Sequence, residues 1–459
     1  MPRLVPICEL LTPGSRIEPC SGPRVVKKLQ RQDNLYVKIP AFRANHIYNN
    51  RVTLMPKGNE FWSRDFASRY GHSRNVAEKD KYLFASEAPR FRFNVIGTGT
   101  MGQEHIRVTN FEGRATINGV YDPEPLSVEN AKAAHAIHSD EPLKVYSSME
   151  EACEDPDVDG LIICTPNYTH IDVVRTAAKS GKHILVEKPV ATTIPDAFEI
   201  AQFADAHDGI FQVGLQYRYK AIYTEAIHEA LERKTLGDIK TVSMVEHRMA
   251  FLDKVGQWNK FGRFSGGTLV EKCCHYFDLI NLFAQSRPKR VFASGSMAVN
   301  FREFEHEHGK ADILDNAMVV IEYENGVRGS FALAMFVPMF YEEIVLCGDI
   351  GRLRASENLD FLPGTSLKSQ LEIFGGETFP SRMTAPSYPV AIEESGHSGA
   401  TFFEHVHFID SIDNGNSEGP TAMDAFWSVV VGVAAETSVA TGEPVDIQDL
   451  LKQNGLDQL

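Results

Sequence analysis

The run Phe91-Arg92-Phe93-Asn94-Val95-Ile96-Gly97-Thr98-Gly99-Thr100-Met101-Gly102 decides the fold. Its first six residues alternate and then turn apolar, as an entering strand does, and a helical pattern follows to about Asn110. A second strand, Ala115–Tyr121, ends at Asp122, 20 residues past Gly102. Glycines at this spacing are common in turns, but strand, turn, helix and a following acid together specify a dinucleotide cradle. Gly97 permits the tight turn, Gly99 lets backbone approach a pyrophosphate, and Gly102 allows close helix–strand packing. Thr98, Thr100 and Met101 complete the cofactor-binding turn at a helix N-terminus, whose unpaired N–H groups favour phosphate. Asp122 suits the two ribose hydroxyls and repels a 2′-phosphate, and Pro123-Glu124-Pro125 supplies no Arg to receive one. The expected cofactor is NAD rather than NADP.

Working outward, strands alternate with helices: helices at about 126–138, 148–154, 169–180 and 195–207, and strands at 144–146, Gly160–Cys164, His183–Val186 and Ile210–Leu215. That rhythm predicts an α/β fold with a doubly wound parallel sheet. Beyond about residue 217 it changes. Helices over 221–233 and Thr268–Phe283 are followed by strands at Arg290–Ser296, Ala317–Tyr323, Gly326–Met335, Glu343–Cys347 and Leu371–Phe374, after an earlier one at Ile239–Glu246. Glu324-Asn325-Gly326 reads as a hairpin turn. Two helices, about 401–414 and 421–440, end the chain. The expected organisation is an extension over 1–90, a Rossmann domain over 91–216, and an α+β domain over 217–459 with a large, mostly antiparallel open sheet.

The chain has 459 residues and a net charge of −15, distributed unevenly. Residues 1–90 hold 16 basic and 8 acidic side chains, whereas the remaining 369 hold 30 and 53. An acidic body argues against nucleic acid or an anionic membrane as partner. The basic segment lacks periodicity and is expected to drape over the acidic body, clamp it or a neighbouring subunit, form a poorly ordered arm, or include residues upstream of a natural start at Met55. Seven scattered cysteines without a Cys-x-x-Cys exclude a disulfide framework and an evident structural zinc. No apolar run follows the first charges, which argues against a secretory leader and for the cytoplasm.

Three segments carry candidate chemistry. Thr165-Pro166-Asn167-Tyr168-Thr169-His170 stands at the end of a parallel strand, the edge where such sheets hold ligands, so Thr165, Asn167 and His170 join the cofactor set. His183–Val186 runs into Glu187-Lys188-Pro189, placing Lys188 at the same edge as a donor to a substrate oxygen and Glu187 beside the cofactor. Gly266-Gly-Thr-Leu-Val-Glu-Lys-Cys-Cys-His-Tyr-Phe-Asp278 puts Glu271 and His275 at i and i+4. A carboxylate beside an imidazole raises its basicity and orients it, as a general base requires. Asp278 is placed to hold the other ring nitrogen. Tyr217, Arg218, Tyr219, Trp258 and Lys260 are expected to line the substrate, with aromatic and multi-donor groups suited to a polyhydroxylated ring. Arg218 and Lys260 suit an anionic substituent. Cys273 and Cys274 read as small buried hydrophobes. His306-Glu307-His308 lacks a third ligand, so no metal is expected.

These segments, in this order from about Phe91 to Ile447, resemble the Gfo/Idh/MocA family of NAD(P)-dependent oxidoreductases. The resemblance implies that Lys188 contacts the nicotinamide region and the substrate hydroxyl, and that His275 is the acid/base. It also implies a dimer or tetramer built on the open sheet. Glu271 stands where the family commonly has Asp, which puts the substrate subgroup in question. The implied reaction removes a proton from a secondary alcohol of a sugar, inositol or sugar derivative through His275 and passes a hydride to NAD, with Lys188 stabilising the alkoxide. Two alternatives use the same parts. One is an NAD-dependent glycoside hydrolase working by transient oxidation, elimination and hydration; the other is a non-catalytic NAD- or sugar-binding regulator.

Overall fold

The computed structural model describes residues 88–363 and 365–459, so nearly all of the basic segment at 1–90 lies outside the described residues. The first sheet is built from β1 (Phe91–Ile96), β2 (Ala115–Tyr121), β3 (Lys144–Val145), β4 (Gly160–Ile163), β5 (His183–Glu187) and β6 (Phe211–Gly214). Its helices are α1 (Thr100–Glu112), α2 (Pro125–His135), α3 (Met149–Glu154), α4 (His170–Ala177) and α5 (Ile194–Asp205). All strand pairs are parallel, in the order β3-β2-β1-β4-β5-β6. The winding reverses between β1 and β4, which opens a crevice beyond their C-terminal ends. The central strands are apolar on both faces because both are covered. Val95, Ile162 and Leu185 enter one core, and Ile96, Ile163 and Val186 enter the other.

The second unit follows with α6 (Ala221–Ile227), β7 (Ile239–His247), α7 (Thr268–Glu271), α8 (Cys274–Ala284), β8 (Pro288–Ser296), β9 (Asn316–Tyr323) and β10 (Arg328–Ala334). It continues through β11 (Phe340–Gly348), β12 (Arg352–Leu359), β13 (Lys368–Phe374), β14 (Arg382–Thr384), α9 (Ala400–Asn414), α10 (Ala422–Thr441), β15 (Val445–Asp446) and α11 (Ile447–Gln453). Nine strands form one sheet in the order β14-β13-β12-β11-β7-β10-β9-β8-β15, antiparallel except for the β7–β10 pair. The expected hairpin at Asn325-Gly326 joins β9 to β10.

Three features depart from the sequence reading, each for a physical reason. The helix expected over Thr268–Phe283 breaks into α7 and α8, because the Cys273 N–H reaches back five residues to the Thr268 carbonyl. Strand β12 was not expected, since Arg352, Arg354, Glu357 and Asn358 hide its alternation; its buried face is Leu353, Ala355 and a paired Glu357. Helix α9, although late in the chain, packs on the first sheet, where Phe408 and Ile409 join Phe93, Val95 and Ile106. Helix α10 is the one helix among the described residues long and apolar enough to cross a membrane, and it is packed against α5, α8 and β8.

Candidate active site

The cradle at the end of β1 has the geometry that its glycines predict. Gly97 adopts φ +88°, and a Cβ there would fall 2.6 Å from the Thr165 nitrogen. A Cβ on Gly102 would lie 2.1 Å from the Gly97 oxygen, whereas one on Gly99 would meet nothing within 4 Å. The first and third glycines are thus demanded by the protein, while the second faces open space. No side chain caps the start of α1 at Gly99. Asp122 accepts from the Thr98 N–H at 2.6 Å and from the Glu124 N–H at 2.8 Å, tying the loop to the end of β2. Asn167 is buried with its Nδ2 unpartnered, a donor waiting beside the crevice. An open cradle, an uncapped helix start and an unpaired amide fit a dinucleotide. His170 takes a more structural place: its ring nitrogens face the Pro189 carbonyl at 2.9 Å and the Thr165 carbonyl at 3.0 Å, fastening the two ligand-edge loops together.

Across the crevice, Lys188 extends from β5 and its Nζ donates to the Glu271 carbonyl at 3.2 Å. Burial alone would lower its pKa, but Glu271, Cys274 and Glu187 raise it, so it stays an ammonium. His275, 1% exposed, stacks on Tyr217 with ring centroids 4.0 Å apart and planes 8° off parallel. Burial, followed by Lys188, Lys272 and His397, drives its pKa well below the ordinary histidine value. It is a neutral imidazole.

The expected Glu271–His275 pair is not formed. The break between α7 and α8 interrupts the i,i+4 register, and Glu271 accepts from Lys254 Nζ at 3.0 Å instead. His275 Nδ1 has no hydrogen-bond partner. Burial would raise the Glu271 pKa, but Lys254 and Lys188 lower it to about 2. Asp278 does not hold the histidine either: it accepts from Arg218 Nε at 2.7 Å and Nη2 at 2.5 Å. Arg218 is therefore committed to α8 rather than offered to a substrate. Lys260 is also enclosed, bonded to Asp253 at 2.5 Å and to Gln257. Tyr219 turns toward α9 and stacks on His407. Trp258 stays beside the site, under Lys254 Nζ at 4.4 Å from its ring centroid. His306, Glu307 and His308 do hold three ligand atoms within 4.8 Å, Glu307 being the third donor that the sequence reading overlooked.

Residues 91–215 match an oxidoreductase family's NAD-binding Rossmann fold, and residues 228–447 match its C-terminal alpha/beta domain. The chain belongs to the Gfo/Idh/MocA oxidoreductase family. It is thus an NAD-dependent oxidoreductase. It is 22% identical to myo-inositol 2-dehydrogenase of Thermotoga maritima, covering 78% of this chain and 99% of the relative. It is 26% identical to scyllo-inositol 2-dehydrogenase (NAD(+)) of Bacillus subtilis, covering 78% and 96%. Levoglucosan dehydrogenase solved with NADH and levoglucosan shares the fold at a TM-score of 0.64, with 19% identity over 78% of this chain and 99% of that one.

Within this Gfo/Idh/MocA site, the structure adds residues that sequence reasoning missed. Arg248, just past β7, lies 3.6 Å from Glu246, and Lys272 Nζ lies 3.2 Å from Glu246 and 2.7 Å from the Tyr217 hydroxyl. Lys220 is fully buried between Glu342 and Glu357, each at 2.6 Å. His397 approaches the Tyr217 ring with centroids 6.4 Å apart. Lys272 stood inside the quoted helix motif; Arg248, Lys254 and His397 come from loops whose spacing carries no signal.

Proposed function

We propose that this enzyme oxidises a secondary hydroxyl of a sugar, inositol or related polyol to a ketone. The observation carrying this reading is the bond from Lys188, at the edge of the NAD-binding sheet, to the Glu271 carbonyl that ends α7, just before α8 with the neutral His275. NAD, when bound in the cradle, supplies the acceptor for the hydride. The chain's own residues manage the hydroxyl. Lys188 donates to its oxygen and stabilises the negative charge that develops there. His275, deprived of positive charge by burial and by its cationic neighbours, is free to accept the hydroxyl proton. Glu271 balances Lys254 and Lys188 and so keeps the pocket from accumulating cations. Tyr217 holds the imidazole by its ring face. Lys254 and Trp258 close the outer side and offer a cation and an aromatic surface to a hydroxylated ring.

The inositol and levoglucosan dehydrogenases among its relatives support this substrate class. A cytoplasmic enzyme acting as a homo-oligomer through the open sheet completes the proposal. Incubation of the full chain with NAD and a panel of monosaccharides, inositols, sugar acids and aryl glycosides tests it, with NADH and released aglycone followed together. NADH accumulation with a free polyol is the expected result. Aglycone release with no net NADH would instead establish the glycosidase chemistry.

A further inference from the structure

The two cations that the sequence offered to an anionic substituent are bound within the protein, Arg218 by Asp278 and Lys260 by Asp253 and Gln257. A third cation, which the sequence reading did not single out, is not. Arg248 follows β7, in which Val242, Met244 and Glu246 alternate inward toward α8, and it continues that alternation. Its backbone is fixed on both sides: its N–H donates to the Ala334 carbonyl at 2.9 Å, and its carbonyl accepts from the Val337 N–H at 3.0 Å. The guanidinium lies over the Phe251 ring, 5.6 Å from its centroid, and Nε donates to the Met249 carbonyl at 3.2 Å. Among the described residues its two terminal nitrogens make no hydrogen bond, since Glu246 Oε1 stands 3.6 Å from Nη1. The side chain is 22% exposed.

The carboxylates around it already have partners. Glu271 accepts from Lys254 at 3.0 Å, Glu246 lies 3.2 Å from Lys272, and Glu187 accepts from the Lys188 N–H and meets His105, both at 2.9 Å. Deeper in, Lys220 is shared by Glu342 and Glu357, and burial pushes the Glu357 pKa up. With Lys188 assigned to the reacting hydroxyl, Arg248 is the cation that neither a bonded carboxylate nor the chemistry uses. It is close enough for its charge to act on Lys188, Glu271 and Tyr217. A planar guanidinium seated on a ring, with its terminal nitrogens open, is built to receive a carboxylate through two parallel hydrogen bonds. One surplus cation suits one negative charge, a carboxylate rather than a doubly charged phosphate. We propose that Arg248 is a specificity-determining residue and that the substrate is a sugar acid, its carboxylate held by Arg248 while Lys188 and His275 act on a secondary hydroxyl. The proposal rests on the dehydrogenase reading above.

Substrate pairs that differ only at the exocyclic carbon test it: glucose with glucuronate and galactose with galacturonate, each with NAD and the full chain, beside the inositols. The wild type should give a kcat/KM about 10-fold or more higher for the acid of a pair. Its KM for the acid should rise with added salt. In Arg248→Gln the acid-to-neutral ratio should fall about 10- to 100-fold, whereas Arg248→Lys, which keeps the charge without the fork, should retain part of it. If Arg248→Gln does not fold, a loss of about three-fold or more in Arg248→Lys supports the proposal and an unchanged ratio contradicts it. Equal or higher kcat/KM for a neutral sugar or inositol in the wild type would overturn the carboxylate and leave the dehydrogenase reading standing. A preference that survives in Arg248→Gln would overturn the role of Arg248. Higher kcat/KM for glucose 6-phosphate than for glucuronate would overturn the single-charge argument. NADH from no sugar, acid or polyol in the panel would overturn the dehydrogenase reading as well.

Discussion

In the proposed mechanism His275 enters as a neutral imidazole with no carboxylate on its ring. A carboxylate four residues earlier was the obvious partner, yet Glu271 turns to Lys254 and Asp278 to Arg218. Lys188→Ala and His275→Asn should each lower kcat by about 100-fold or more, with NAD affinity little changed in His275→Asn; steady-state kinetics beside NAD calorimetry checks this. Asp122→Ala should raise kcat/KM for NADP relative to NAD, and a wild type that already prefers NADP would contradict the role of that carboxylate. The acid response has a definite sign. Glu104 and Glu271 are held at about 2 against an ordinary 4.5, so the folded state binds their protons less readily than the unfolded one. Their contribution is fully present above about pH 5 and is lost as pH falls toward 2. Urea midpoints measured between pH 6 and 3 should therefore drop, with a shallower slope in Glu104→Gln. Lys188, Glu271 and His275 were legible as candidates because they sit in motifs with fixed spacing. Their partners were not, because a break at Lys272–Cys273 redirects one side chain and distant loops supply the others.

At the scale of elements, the β1–turn–α1 unit separates two uses of glycine. Gly102→Ala should destabilise the fold, since the added methyl meets the Gly97 oxygen, and the melting temperature should fall by several degrees. Gly99→Ala has open space and a φ of −63°, so melting without NAD should be unchanged while NAD affinity falls about ten-fold or more. Equal losses of stability in both variants would contradict the distinction. This unit was fully legible because turn chemistry, strand and helix agree. Strand β12 was not, because its inward Glu357 is buried against Lys220 and breaks the apolar pattern. In sequence, the carboxylate and ammonium of a buried pair look like exposed charges.

At the scale of the molecule, the first sheet is completed by α9 from the far end of the chain, which alternation of strands and helices alone does not reveal. The second sheet leaves apolar residues on its outer face, with Met318 66%, Val320 47% and Phe292 44% exposed, and Val320 directly opposite Phe292. Such a patch on an open sheet suits burial against a second copy. Light scattering should find a dimer or tetramer in the wild type and a smaller species in Met318→Glu/Val320→Glu. The proposed chemistry draws on both halves of the molecule, Lys188 from the NAD-binding sheet and His275 from α8. The most direct measurement follows NADH formed from inositols and monosaccharides by the wild type and by Lys188→Ala side by side. Sustained NADH production by the wild type, reduced at least 100-fold in the variant, is the predicted result. Equal rates in the two proteins would contradict it, as would NAD binding without turnover of any polyol in the panel.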